Sequence, residues 1–189
     1  MGANHGYVTS ALASKYDRVF AFEPSLDNFR VLHDTISLNK HQNVVFEKFA
    51  CSSYDGEADF YEFSSHSHHS LGDTKIKLPE RIVKVKTITL DSYCQANKIS
   101  EISLLKIDVE GFELDVLLGA SKLINERRIK HIIFEFNPLV AHNLNKSVSE
   151  TFDFLINMNF EIYTLKGERL KKAPESSDIV DLLAISKAK

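Results

Sequence analysis

Hydrophobic residues recur along this chain in two rhythms, and they divide it into alternating strands and helices. The stretch from Leu104 to Ala120 (LLKIDVEGFELDVLLGA) holds both. Leu104, Leu105, Ile107 and Val109 form a nearly continuous apolar run broken by Lys106 and by Asp108, the pattern of a buried strand. Leu114, Leu117, Leu118 and Ile124 then follow at helical spacing. Shorter runs predict strands over 18–23, 43–49, 82–90, 130–136, 160–165 and 179–185. Helical faces run from Val8 to near Lys15, over 27–39, from Asp91 onward and over 149–158. Asp55-Gly56 marks a turn, and 58–63 reads as a hairpin partner for the strand before it. Residues 82–90 alternate strictly, as an edge strand does. Strands and helices alternate until a closing hairpin at Lys166-Gly167-Glu168. That order fits one α/β domain with a doubly wound sheet, helices on both faces and an antiparallel last strand.

Several polar residues stand where such a sheet places its ligands, at the carboxyl ends of strands. Asp108 and Glu110 end the central strand beside Gly111, and Glu135 stands near the end of the strand over 130–136. Buried carboxylates need a cationic or hydrogen-bonding partner, so their grouping points to chemistry. Glu113 fits a second role, that of an acid favouring a helix N-terminus. Gly2, Ala3, Asn4, His5 and Gly6 form a glycine turn that feeds a helix, an arrangement able to hold an anion on backbone N–H groups. Its spacing is not the dinucleotide G-x-G-x-x-G, which disfavours a nicotinamide-dependent oxidoreductase. Glu23 ends the next strand, 17 residues after Gly6, at an offset suited to a ribose diol.

The 189 residues are 43% hydrophobic and 26% charged, as in a soluble globular domain. A net charge of −3 gives no electrostatic reason to expect nucleic acid or an anionic membrane. No apolar run would span a bilayer, and no signal peptide is visible. Cys51 and Cys94 lack metal-ligand spacing and read as reduced thiols of a cytoplasmic protein. The run SSHSHHS carries His66, His68 and His69, but without a fourth ligand it reads as a polar loop, and no metal site is expected.

Four blocks in order, GANHGYVT, VFAFEP, VKTITLDSY and LLKIDVEGFELDVLLGA, resemble the FkbM-type methyltransferases. The resemblance runs from Gly2 to about Ile185. It implies a Rossmann-like class I methyltransferase fold, S-adenosylmethionine as cofactor, and methyl transfer to a hydroxyl of a sugar, glycan or other small molecule. It implies cofactor contacts at Gly2, Ala3, Asn4, Gly6, Glu23, Ala50 and Asp108. Asp108, Glu110 and Glu135 are the candidates for activating the acceptor hydroxyl, with the choice among them open. One departure stands out. The family pattern opens with a central strand ending in an acid, D-x-G-A-N, and here Met1 takes the x position. The chain is therefore expected to be a single methyltransferase domain, N-terminally truncated, with the DNA upstream encoding that strand in frame. The competing expectation is a non-catalytic remnant that has lost cofactor binding with the strand.

Overall fold

The computed structural model describes residues 1–64, 68–175 and 177–187. The glycine turn leads into α1 (Tyr7–Ala13), followed by β1 (Val19–Phe22), α2 (Leu26–Leu38) and β2 (Val44–Glu47). β1 and β2 pair in parallel, and Leu32 and Ile36 of α2 pack on Ala21 beneath them. Next come β3 (Ala50–Cys51), β4 (Gly56–Glu62), β5 (Arg81–Ile88) and α3 (Leu90–Ala96). Then β6 (Ile102–Ile107), α4 (Glu113–Leu118), α5 (Ser121–Asn125), β7 (Ile129–Phe136), α6 (Pro138–Asn143) and α7 (Glu150–Asn157) complete the alternating part. β8 (Phe160–Thr164), β9 (Arg169–Leu170) and β10 (Val180–Ser186) close the chain.

The main sheet has the order β6-β7-β10-β8-β9, with β10 antiparallel to both neighbours as the pattern predicts. Its core is continuous: Ile107, Val116, Leu117, Ile132, Phe134, Phe152, Leu155 and Ile162 are all fully buried. Sequence signals fix several helix ends. Thr89 accepts the Ser92 N–H as the cap of α3, and Asn137 caps α6 ahead of Pro138. The Asp91 carboxylate accepts the backbone N–H groups of Lys122 and Leu123, tying α5 to α3.

Three local expectations are corrected. The 58–63 segment pairs not with the strand before it but with β5, antiparallel from Gly56↔Thr87 to Glu62↔Arg81. β5 is in turn no edge strand: it is the middle of a small sheet, with β3 on its other side. Strict alternation reports one buried face and says nothing about the edges, so it misassigned the strand. The apolar helix after the central strand is broken in two at Gly119, where the Ser52 carbonyl oxygen would lie 2.0 Å from an added Cβ. A close backbone crossing, invisible to periodicity, ends α4 there.

The sheet is interrupted where the resemblance puts the central strand. Among the described residues no strand lies between β1 and β6. Only Met1 to Ala3 enter that gap. The Met1 amino group donates to the Lys106 carbonyl (2.8 Å), the Asp108 N–H donates to the Met1 carbonyl (3.3 Å), and the Ala3 N–H donates to the Phe22 carbonyl (3.0 Å). The rest of the gap is a slot of about 890 Å³, walled by Val19 to Phe22 on one side and Ile102 to Lys106 on the other.

Candidate active site

β6 and β7 run in parallel register, with Ile107 opposite Phe134. One residue further along each strand stand Asp108 and Glu135. Glu110 follows in a tight loop, at a positive φ of 53°. A non-glycine residue in that region costs about 1 kcal/mol or more, so the surroundings must hold it there. They do so with hydrogen bonds: Ser70 Oγ donates to the Glu110 carbonyl at 2.7 Å, and Lys146 Nζ donates to the Gly111 carbonyl at 2.9 Å. Lys146 also pairs with Asp115 and lies 3.6 Å from the centre of the Phe112 ring. Glu113 folds back so that one carboxylate oxygen accepts the N–H groups of Val109 and Gly111. That makes it a clasp for the loop, in line with its position at the start of α4.

The outcome is a group of acids with the Lys106 ammonium beside it. Lys106 Nζ sits 2.6 Å from Asp108 Oδ2. Its place two residues earlier on the strand puts it on the same face, a signal present in the sequence as a polar break in the apolar run. Glu110 is only 9% exposed, and its Oε2 has no hydrogen-bond partner. Burial, reinforced by Glu135 and Asp108, pushes its carboxyl up to about 8. Burial and then Asp108 likewise raise Glu135, while a hydrogen bond from Asn137 at 3.1 Å opposes the shift. Asp181 of β10, paired in register with Glu135, is also raised, by burial first. Nothing in the sequence marked Asp181, because its neighbour is chosen by sheet topology.

The glycine turn abuts this group directly. Asn4 and Gly6 have left-handed backbones (φ 48° and 86°), and the Gly6 N–H donates to Ala3. Asn4 Oδ1 is buried without a partner. Glu23, 3% exposed, uses one oxygen to accept the Asn4 N–H (2.8 Å) and the other the Ser25 N–H (3.0 Å). Burial pushes its carboxyl up to about 7, against those two hydrogen bonds. Gly2, Ala3, Asn4, Gly6 and Asp108 thus come together at one end of the slot, with Glu23 directly behind the turn. Ala50 does not join them: it is buried between Phe60 and Val85 in the small sheet. His69 Nδ1 accepts the Phe63 N–H, and His66 lies outside the described residues. No helix among the described residues is long and apolar enough to cross a membrane.

Comparison with known proteins identifies the fold and the family. Two solved structures share the fold. SMU.1697c from Streptococcus mutans, determined in complex with SAH, superposes with a TM-score of 0.51 at 8% identity, over 96% of this chain and 83% of that one. The precorrin-6y C5,15-methyltransferase of Geobacter metallireducens superposes with a TM-score of 0.50 at 14% identity, over 98% and 78%. The hexuronic acid methyltransferase AglP of Haloferax volcanii is 27% identical over 154 residues, covering 79% of this chain. The chain spans about 60% of that relative's length. The model of the methyltransferase FkbM domain matches residues 1–162, so the chain belongs to the FkbM methyltransferase family.

Proposed function

We propose that this chain is an S-adenosylmethionine-dependent methyltransferase acting on a hydroxyl of a sugar acid, glycan or similar small molecule. The observation that carries the reading is the placement of Asp108, Glu110 and Glu135 at the ends of β6 and β7, against a glycine turn whose Gly2 lies on the Asp108 backbone and whose preceding residue, Met1, accepts the Asp108 N–H. The residues fit the cofactor. Asn4 Oδ1 is a buried acceptor with nothing to accept, which leaves it available to a donor from the methionine end. Each Glu23 oxygen accepts one backbone N–H and retains a lone pair for a ribose hydroxyl.

When bound, S-adenosylmethionine supplies an electrophilic methyl group on a sulfonium centre. The chain's own task is to orient the acceptor and remove its proton. An alcohol is a poor nucleophile at neutral pH, and a positioned base contributes about a hundredfold or more. A carboxylate touching the sulfonium would stabilise the ground state more than the transition state, so the acids act on the acceptor oxygen. AglP's substrate class, a hexuronic acid, is the first acceptor to try. Two free, buried cysteines suit the cytoplasm. The test is calorimetric titration with S-adenosylmethionine, then transfer of labelled methyl to hexuronic acid glycans. Saturable binding and labelled product are expected. Absence of binding would mean a non-catalytic remnant.

A further inference from the structure

One carboxylate oxygen from each of Asp108, Glu110 and Glu135 lies within 4.8 Å of the others. Oxygens on opposite sides of a bound Mg²⁺, Mn²⁺ or Ca²⁺ are about 4–5 Å apart, because each metal–oxygen bond is about 2.0–2.6 Å. Small rotations of the three side chains therefore bring all three onto one ion. Acids often cluster without binding anything, and proximity alone carries no weight. The independent observation is Glu110. Its side chain is nine-tenths buried, its Oε2 has no partner, and its carboxylate is turned into the group. Buried polar atoms in folded proteins are nearly always satisfied, so an orphan of this kind asks for a ligand.

Charge points the same way. The ammonium facing the group is that of Lys106, bonded to one oxygen of Asp108. Asn137 takes one oxygen of Glu135. Both acids keep their second oxygen for a ligand. Asp181 stands beside Glu135 in register, so four acids crowd this end of the sheet, and a divalent cation would relieve their mutual repulsion. A donor set made only of oxygens suits hard ions rather than zinc or copper.

We propose that Asp108, Glu110 and Glu135 form a site for one hard divalent cation, Mg²⁺ or Mn²⁺, at the carboxyl ends of β6 and β7. The site departs from the expectation drawn from the histidine run. Its donors come from a strand end, a strained loop and a neighbouring strand. Binding of the ion does not depend on the methyl-transfer reading. Its use does rest on that reading: the remaining positions on the ion would receive oxygens of the acceptor and lower the pKa of the hydroxyl to be methylated.

The test is titration of the chelator-treated full chain with Mn²⁺, followed by the loss of the free-ion electron paramagnetic resonance signal. One saturable site is expected, with half-saturation below about 1 mM and displacement by Mg²⁺. Glu135→Gln and Glu110→Gln should each weaken binding at least about tenfold. Asp59→Asn, on the exposed face of β4, should change nothing. No saturable binding by the unaltered chain overturns the site, and so does binding undiminished in both glutamine variants while circular dichroism shows them folded. Calorimetry with S-adenosylmethionine is read separately. Mn²⁺ bound without cofactor binding sinks the methyl-transfer reading and keeps the cation site; cofactor bound without Mn²⁺ does the reverse.

Discussion

Gly2 and Asp108 touch backbone to backbone: a Cβ on Gly2 would lie 1.7 Å from the Asp108 carbonyl oxygen. Gly2 also has a φ of 66°. Two independent demands therefore exclude any other residue, and together they hold the glycine turn against the acidic group. Gly2→Ala should cost more than the 1–2 kcal/mol, roughly, that a left-handed backbone alone imposes, because the clash is with backbone and cannot be relieved by a rotamer. Urea unfolding checks it. A loss below about 1 kcal/mol would show that the turn is not seated on Asp108.

Glu23 gives the stability a pH dependence of known sign. Its folded pKa is about 7 against an ordinary 4.5, raised by burial. The folded state therefore binds more protons than the unfolded chain between those values, and stability falls as pH rises from about 4.5 to 7. The fall amounts to on the order of 3 kcal/mol. Glu113, also raised to about 7 by burial, adds in the same direction. Glu23→Gln should flatten part of this slope in chemical unfolding across the window. A slope identical in the variant would show that Glu23 does not titrate there.

Much of this was legible in the sequence. The strand of 104–109, the helix of α2 and the antiparallel last strand followed from periodicity, because each buries its face against a large core. Glu23, Asp108 and Glu135 were legible as strand-end acids. What could not be read depends on pairing between distant segments. β4 took β5 as its partner, Asp181 met Glu135 across β10, and Ser70 reached the Glu110 carbonyl from a loop 40 residues away. Glu23 was visible as an acid, but not as a buried clasp that holds Asn4 and Ser25.

Glu110→Gln tests the role of the acids in the reaction. The change keeps the shape and removes the group's ability to take or give up a proton. Methyl transfer to a hexuronic acid acceptor should fall by about a hundredfold or more. The dissociation constant for S-adenosylmethionine should stay close to that of the unaltered chain, since the Asn4 and Glu23 contacts are elsewhere. A parallel loss of cofactor affinity would instead move Glu110 into the cofactor's pocket.

The slot between β1 and β6 supplies the last prediction. Its two walls are strand edges whose N–H and C=O groups face a gap, the arrangement that most readily accepts another strand. Met1 shows which way such a strand would run. Its amino group bonds to Lys106 and its carbonyl to Asp108, flanking Ile107 as a parallel partner does, while Ala3 bonds to Phe22 on the other wall. The Met1 ammonium is buried there, and burial lowers its pKa, a sign that its charge is held at a cost. Joining five or six alternating β-branched residues to Met1 through a peptide bond should remove that charge and lay a strand between the walls. Each newly buried side chain contributes about 1.5–3 kcal/mol, so a gain of several kcal/mol is expected in urea unfolding. Hydrogen exchange is the sharper readout: amides of Val19–Phe22 and Ile102–Ile107 should gain protection together. A control extension of the same length rich in proline and glycine should do neither, since it cannot pair. Unchanged protection on both walls with the β-branched extension would show that the slot does not accept a strand.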